Sequence, residues 1–382
     1  MGNGEQQAWW RVAVGGGAGM FVAMGLGRFS YTALLPALIS SGRLSELEAG
    51  MVGGVNLFGF LVGAILSGRL AAGMQTNRRL RLWVWLCLLG LACSALPLGF
   101  AWLAWWRGVI GVMTGLIMIG GVALATAHVP EAKRAWAASM VFAGVGFGIL
   151  LAGSVVPALV ERGIDWAWAG LAAIGLVGTV VAQWGWHGDT DTADPAPPAI
   201  PVLGQPWTVM VVAHFLFSLG LVPHTLYWVD FIARDLGHGL AVGGLHWAVV
   251  GVFAVLGPWA MAWLAGRIGT ARALVVSFAV LGAGLAAPAL AAAVPALWAS
   301  SVIFGAQPGV SALMAARVRD LGSADAMAAL MRLMIMANAI GSGLGGLAAP
   351  IIFDTTGDVR PLFLAAAAMM LGAAWHLRRR AV

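Results

Sequence analysis

The chain has 382 residues, of which 61% are hydrophobic and only 9% are charged. A soluble globular domain carries about 25% charged residues, so this composition excludes a soluble protein and predicts many membrane-spanning segments. The net charge of +6 does not indicate nucleic-acid binding, because the arginines lie between apolar runs and no DNA- or RNA-binding motif accompanies them. Cys87 and Cys93 share one apolar run without a C-x-x-C spacing and predict neither a disulfide nor a metal site.

Twelve apolar runs follow one another along the chain, each about long enough to cross ~30 Å of hydrocarbon as a helix. The runs are 12–39, 48–71, 80–100, 102–127, 136–160, 164–187, 207–233, 244–266, 273–291, 295–316, 326–351 and 361–377. The first run lacks a signal-peptide cleavage site and is predicted to be a retained span. The sequence therefore predicts an all-α membrane protein with twelve transmembrane helices.

Basic residues are unevenly distributed between the two sides of this predicted bundle. With both termini on one side, that side receives fourteen of them and the opposite side four, namely Arg43, Arg162, Arg234 and Arg360. Basic loops stay in the cytoplasm, so we expect an inner-membrane protein, of bacterial origin, with both termini cytoplasmic. Many of the 19 tryptophans lie near the ends of the runs, where they are predicted to contact membrane lipid.

An acidic, proline-rich stretch divides the runs into two sets of six. Residues 188–206 have the composition of a solvated linker. The flanking segments, 1–187 and 207–382, repeat small and polar residues in order at offsets of 193 to 198 positions, for example Gly27 and Gly220 (220 − 27 = 193). This repeat predicts two pseudo-symmetric six-helix bundles with a substrate site between them at the midplane, which is a transporter architecture.

Several short motifs indicate which kind of transporter this is. The loop after span two contains Gly68 and Arg69, and Arg107 stands four residues before a glycine in span four. On these motifs the chain resembles the major facilitator superfamily over nearly its whole length. Residues 64–69 keep only part of that superfamily's loop motif, because Gly68 stands where the motif has an acidic residue. The stretches 25–32, 56–63 and 230–234 resemble its YbfB/YjiJ branch in particular. The resemblance implies that Arg69 and Arg107 act in gating or coupling; a structural role on neighbouring backbone is the alternative for Arg107.

Arg28 lies near the middle of the otherwise apolar first run. A charge there costs at least ~2.5 kcal/mol, so it is a functional-site hypothesis by default. The nearby Gly25 and Gly27 favour an irregular helix that lines a cavity. Because a guanidinium holds a carboxylate or phosphate through two hydrogen bonds, we expect Arg28 to bind an anionic substrate, with Tyr31 and Thr32 on about the same helix face. A structural arginine bonded to backbone carbonyls is the alternative.

Few other polar side chains lie within the runs. Span seven carries His224 and Asp230, which are candidates for proton coupling because histidine is a natural proton switch. Alternatively, His224 binds substrate and Asp230 pairs with an arginine at the rim. Asn56, Gln307 and Asn338 are neutral amides in spans two, ten and eleven, where each is either a substrate contact or a hydrogen-bonding link between helices.

The remaining patterns give weaker alternatives. Met327, Met331 and Met334 share a helix face and thioethers suit Cu(I), although methionines at this spacing usually pack in a core. No hydrolase motif, P-loop or intramembrane carboxylate pair is present, so we expect no enzyme activity, no cofactor and no resident metal. The sequence predicts a monomeric secondary transporter of a small anionic or zwitterionic solute, with proton coupling open. Efflux of hydrophobic compounds is the main alternative; copper import and a receptor or scaffold role are weaker ones.

Overall fold

The computed structural model describes residues 3–67, 76–127, 129, 131–187, 207–321 and 324–379. Within these ranges the chain is helical apart from short turns, which agrees with the predicted all-α class. The linker predicted at 188–206 and the gating candidate Arg69 lie outside the described residues.

The described part of the chain forms fourteen α-helices and two π-helical segments. In order they are α1 (Asn3–Met20), π1 (Phe21–Phe29), α2 (Ser30–Ser40), α3 (Glu46–Ser67), α4 (Thr76–Cys93), α5 (Phe100–Ala127), α6 (Glu131–Val160), α7 (Ile164–Gly185), α8 (Trp207–Asp230), π2 (Phe231–Asp235), α9 (Gly239–Ile268), α10 (Thr270–Leu290), α11 (Val294–Gly305), α12 (Gln307–Leu321), α13 (Ala324–Thr356) and α14 (Arg360–Arg379).

Eleven spans in the described chain are long and apolar enough to cross a membrane, where α1–π1–α2, α8–π2 and α11–α12 each count as one span. The predicted run outside this set of eleven is 80–100, which corresponds to α4; this segment is helical but carries Arg78, Arg79 and Arg81 in its first two turns. These charges lower the apolar content of α4 over its described length. The helix also ends at Cys93, earlier than the run predicted, because a turn precedes α5.

Small residues let α3 and α5 cross closely. Gly59 and Gly63 of α3 face Gly111 and Gly115 of α5. A Cβ atom at Gly63 would lie 2.2 Å from a backbone oxygen of α5, and one at Gly111 would lie 2.1 Å from a backbone oxygen of α3. Glycines four residues apart are typical of membrane helices whose backbones touch. The middle of α5 also contacts π1 of the first span.

Turns at matching positions of the two halves of the chain carry glycines with positive φ. Gly42 and Gly237 are 195 positions apart (237 − 42) and have φ angles of 71° and 70°. Gly163 and Gly357 are 194 positions apart (357 − 163) and also have positive φ. Glycine suits these turns because other residues rarely adopt positive φ. Both offsets match the spacing of the repeat in the sequence.

Helices α1–α7 pack mainly among themselves, as do helices α8–α14. We call these sets the first and second half. Contacts between the halves are made by α3 with α13, by α6 with α9, and by α2 with α8 and α9. The pairs Gly54–Gly346 and Gly153–Gly244 approach each other closely. They lie in the N-terminal parts of α3 and α9 and in the C-terminal parts of α6 and α13, at the end of the bundle opposite the chain termini. We call that end of the bundle the distal end.

A cleft of about 540 Å³ opens at the distal end between the two halves. Its lining comes from α2, the turn between α6 and α7, and the segment from π2 to α9. Arg43 of the first half and Arg234 of the second half both contribute to its walls.

Candidate functional site

Arg28 lies in the last turn of π1, in the middle of the first span. Its guanidinium carbon is 5.3 Å from the ring centroids of both Phe29 and Phe60. Its Nε atom is buried without a hydrogen-bond partner, and no ion pair among the described residues involves it. A guanidinium held over aromatic rings keeps its N–H donors available, so Arg28 can receive a carboxylate or a phosphate.

Arg107 of α5 binds the backbone beside Arg28. Its side chain is 1% exposed and donates hydrogen bonds to the carbonyl oxygens of Gly27 and, at 3.1 Å, of Arg28. Its guanidinium carbon lies 4.8 Å from the centroid of the Tyr31 ring. Where a π-helix returns to an α-helix, the hydrogen-bond register changes and carbonyls lose their usual partners. Arg107 supplies donors at that junction, which is the backbone role that the sequence left as an alternative.

Two further side chains bond carbonyls of π1. The Thr114 hydroxyl of α5 donates to the Ala23 carbonyl at 2.9 Å, and Nε1 of Trp247 in α9 donates to the Phe29 carbonyl at 3.0 Å. Thr114 belongs to the first half and Trp247 to the second. The irregular helix expected around Gly25 is therefore present as π1, and side chains from both halves fix its position.

Tyr31, Thr32 and Asn56 use their polar groups within the protein. The Tyr31 hydroxyl donates to a backbone carbonyl of α3 at 2.7 Å, and the Thr32 hydroxyl donates to the Thr225 carbonyl at 2.5 Å. The Asn56 amide donates to the Arg107 carbonyl at 2.8 Å, while its Oδ1 is buried without a partner. The structure thus groups Tyr31, Asn56 and Arg107 around the backbone of Arg28 as links between helices.

His224 is enclosed within the second half. It is fully buried, its Nε2 lies 3.1 Å from the Ser300 hydroxyl, and its ring stacks on Trp228 at 4.8 Å. The Phe363 ring covers it at 4.2 Å. In this conformation the imidazole contacts protein on both faces, so the structure does not bring it together with Arg28.

At the distal end, a chain of charged contacts links Asp230, Arg234 and Glu46, and we call it the relay. It is 1% exposed, and its Oδ1 lies 3.2 Å from Nε of Arg234 without hydrogen-bond geometry. Arg234 also forms an ion pair with Glu46 of α3. The relay therefore joins the second half to the first, and Asp230 pairs with an arginine at the rim, as one of the two sequence interpretations had it.

Gln307 and Asn338 are half-buried in the second half. Gln307 begins α12, immediately after the break in the tenth span at Ala306. The Asn338 carbonyl accepts a hydrogen bond from the Ser218 hydroxyl at 2.6 Å. Neither side-chain amide donates a hydrogen bond to another described residue, so both stay candidates for solute contact.

The methionine pattern falls partly outside the description. The side chain of Met327 is not described, whereas Met331 and Met334 pack into the hydrophobic core. Over the described ranges, no group of three or more His, Cys, Asp or Glu residues could hold a metal ion.

Several residues around the site escaped the sequence reasoning. Phe29, Phe60 and Trp247 are aromatic residues within apolar runs, where they carry no separate signal, and Glu46 lies at a span end. Trp247 carried no signal either: it lies three residues from the start of the run predicted at 244–266, where membrane tryptophans are usual, and it falls inside a helix only because α9 begins at Gly239.

Comparisons with known proteins agree with this architecture. The family described as "Uncharacterised MFS-type transporter YbfB" matches residues 20–377. The chain is 24% identical over 270 residues to the shikimate transporter of Escherichia coli (strain K12). That match spans 61% of this chain and 59% of the relative, so it covers little more than half of the relative's length.

Two solved structures share the fold. A crystal structure of a mutant nucleoside transporter NupG covers 97% of this chain and 99% of its own, with a TM-score of 0.73 and 12% identity. A bacterial homologue of the human lysosomal transporter Spinster, in an inward-facing and unoccupied conformation, covers 100% of this chain and 96% of its own, with a TM-score of 0.67 and 14% identity. The chain therefore belongs to the YbfB-type family of major facilitator superfamily membrane transporters.

Proposed function

We propose that the protein carries a small anionic or zwitterionic solute across the membrane by alternating access, and that Arg28 binds the anionic group. One observation carries this proposal: Arg28 lies well inside a helical span of membrane-crossing length, Trp9–Ser40, and has no acidic partner among the described residues. Because a charge in that position costs at least ~2.5 kcal/mol, a bound anion would offset a cost that the fold leaves uncompensated.

The charges around Arg28 favour an anion over a cation. Arg107 places a second guanidinium next to the Arg28 backbone, whereas Asp230 is paired with Arg234. The centre of the bundle is therefore positive. The similarity to a shikimate transporter supports the same class, since shikimate carries one carboxylate.

For the conformational cycle, we propose that segments 1–187 and 207–382 act as two six-helix bundles that rock about the midplane. Close approaches between the halves run from mid-helix, as at Gly146 and Gly251, toward the distal end, as at Gly54 and Gly346, which supports a conformation held together in that part and open toward the termini. We place the termini in the cytoplasm and the protein in the inner membrane as a monomer. The cytoplasmic placement of the termini rests on the excess of basic residues at the terminal end of the bundle.

Proton coupling is the second element of the proposal, and Asp230 is its carrier. The carboxylate is buried, has one oxygen without a hydrogen bond, and belongs to the relay that joins the halves. Protonation would remove the attraction that Asp230 exerts on Arg234 within the second half, and would thereby change the ion pair that Arg234 forms with Glu46 across the distal end.

The decisive experiment is a thermal-stability screen of the purified protein with small carboxylates, their neutral amides, sugars, lipophilic amines and Cu(I). A ligand that binds only the folded state stabilises it by about 2.7 kcal/mol at a hundredfold excess over Kd. We expect a carboxylate to stabilise the wild type and not Arg28→Gln. Arg332→Gln is the matched control, because Arg332 is an exposed arginine on α13, and it should respond like the wild type.

The opposite result would favour the alternatives. Stabilisation by lipophilic compounds in both the wild type and Arg28→Gln, with no response to carboxylates, would contradict an anion site and support efflux of hydrophobic compounds. A response to Cu(I) alone would support copper import.

A further inference from the structure

A tryptophan of the second half holds the residue that follows Arg28. Trp247 is fully buried, and its Nε1 donates a hydrogen bond to the Phe29 carbonyl at 3.0 Å. The indole ring also lies 6.1 Å from the Phe29 ring and 6.3 Å from the Phe304 ring. Phe29 is therefore held by the second half through both its main chain and its side chain.

Phe29 also contacts Arg28. Its ring lies 5.3 Å from the guanidinium carbon of Arg28, on the same side chain that is proposed to bind the solute. A solute that accepts hydrogen bonds from the Arg28 guanidinium therefore acts on a side chain that also packs against the Phe29 ring. Phe29 thus contacts both the side chain that is proposed to bind the solute, Arg28, and a side chain of the second half, Trp247.

The contact from Trp247 depends on the arrangement of the halves. Trp247 belongs to α9, which packs on α6 and α2 of the first half, and close approaches along α6 and α9 occur toward the distal end. If the halves separate at that end, α9 moves away from π1 and the Phe29 carbonyl loses its donor. The Trp247–Phe29 hydrogen bond can therefore exist in the distally closed state and is lost when that end opens.

We infer that Trp247 is a positioning residue that couples occupancy of Arg28 to closure of the distal end through Phe29. This inference rests on the proposed function only for the identity of the group that Arg28 binds. The Trp247–Phe29 hydrogen bond and its dependence on closure are independent of that identity. The alternative is that Trp247 only packs in the core of the second half. Loss of its N–H group would then lower the stability of the second half without changing the balance between the distally closed and distally open conformations.

The test uses the substitution Ala37→Cys, and the protein that carries it with Trp247 intact is the reference for all labelling rates. Ala37 lines the distal cleft and is 9% exposed in the closed state. In the background Cys87→Ala and Cys93→Ala, the full-length protein in nanodiscs is labelled with a maleimide in the absence of solute. We expect Trp247→Phe, which keeps a ring but loses the donor, to raise the labelling rate about fivefold, the order expected for one lost buried hydrogen bond.

Trp228→Phe is the matched control. Trp228 is also a fully buried tryptophan, but its Nε1 donates to the Ser301 hydroxyl at 3.1 Å within the second half. We expect its labelling rate to match the wild type. A wild-type rate for Trp247→Phe, or an equal rise in both variants, would overturn the inference. If Trp247→Phe does not fold, Phe304→Leu removes the ring beside the indole and should give a smaller rise; an unchanged rate would again overturn it.

A second readout separates this inference from the proposed function. In the Ala37→Cys background with Trp247 intact, we expect a stabilising carboxylate to change the labelling rate at position 37. In Trp247→Phe, the carboxylate should still raise thermal stability but no longer change the labelling, because binding and closure are uncoupled. If no carboxylate stabilises the wild type, the proposed anion site is wrong, and the solute-free labelling still decides whether Trp247 holds the closed state.

Discussion

Thr32 and Thr225 are 193 positions apart (225 − 32), and the Thr32 hydroxyl donates a hydrogen bond to the Thr225 carbonyl. This offset is the one that relates Gly27 to Gly220 in the internal repeat. Two residues that the predicted repeat pairs with each other therefore meet in the structure. The contact lies between α2 and α8, where the halves have to separate for the distal end to open.

Replacing Thr32 by Val should weaken the closed conformation. The substitution keeps the β-branched shape and removes the donor, so we expect a loss of about 1 kcal/mol, seen as a lower melting temperature and faster labelling of the distal cleft. Thr225→Val is the control, because the Thr225 hydroxyl makes no hydrogen bond to another side chain or carbonyl in the described chain. Equal effects of the two substitutions would argue that the hydrogen bond contributes nothing.

Arg107→Lys should be strongly destabilising although it keeps the charge. A lysine cannot donate in the fork geometry that reaches the carbonyls of both Gly27 and Arg28. We expect a loss of about 2–4 kcal/mol from the unfilled backbone acceptors, measured as a fall in melting temperature. Arg332→Lys on the exposed face of α13 should have little effect. If Arg107→Lys is as stable as the wild type and only transport changes, then charge rather than carbonyl binding explains Arg107.

Gly153→Ala should favour the distally open conformation. A Cβ at Gly153 would lie 2.4 Å from the Ala248 nitrogen and 2.5 Å from the Gly244 carbonyl oxygen. Backbone atoms cannot move aside as a flexible side chain does, so α6 and α9 would have to separate. Cysteine labelling of the distal cleft should therefore accelerate. Gly372→Ala is the control, since nothing lies within 4 Å of the added Cβ, and a clear effect there would point to general helix sensitivity.

Asp230→Asn should separate transport from the proton gradient. The amide keeps the shape of the carboxylate but can neither pair ionically with Arg234 nor exchange a proton. In proteoliposomes we expect the variant to lose accumulation driven by a pH gradient and to keep exchange of labelled for unlabelled solute. Asp165→Asn is the control, because Asp165 forms an ion pair with Arg43 within the first half. Normal gradient-driven accumulation by Asp230→Asn would remove Asp230 from the coupling mechanism.

The fold was largely predictable because the bilayer imposes simple constraints. Apolar length located the spans, and the wrong end of the 80–100 run arose because apolar residues continue into the turn after Cys93. The irregular helix at Gly25 was foreseen from glycine content, and the structure shows its form as a π-helix. Its length could not be predicted, since it depends on donors such as Arg107 and Thr114 that arrive from another helix.

Sequence reasoning could single out Arg28 as a candidate but could say less about its surroundings. An arginine in an apolar run is visible in one sequence, but whether it has a partner depends on tertiary packing. Tyr31 and Asn56 looked equally suited to bind solute, and the structure shows their donors bonded to backbone. Trp247 lies 218 positions from Phe29, so no local pattern could have joined them.

The π-helical turn around Arg28 has no counterpart in the second half. The corresponding residues, 214–222, belong to the continuous α-helix α8, and the residue that corresponds to Arg28 is Leu221 (28 + 193). A solute between the halves would thus meet a cation on one side and an aliphatic side chain on the other. We expect it to travel in one fixed orientation, with its charged end toward the first half.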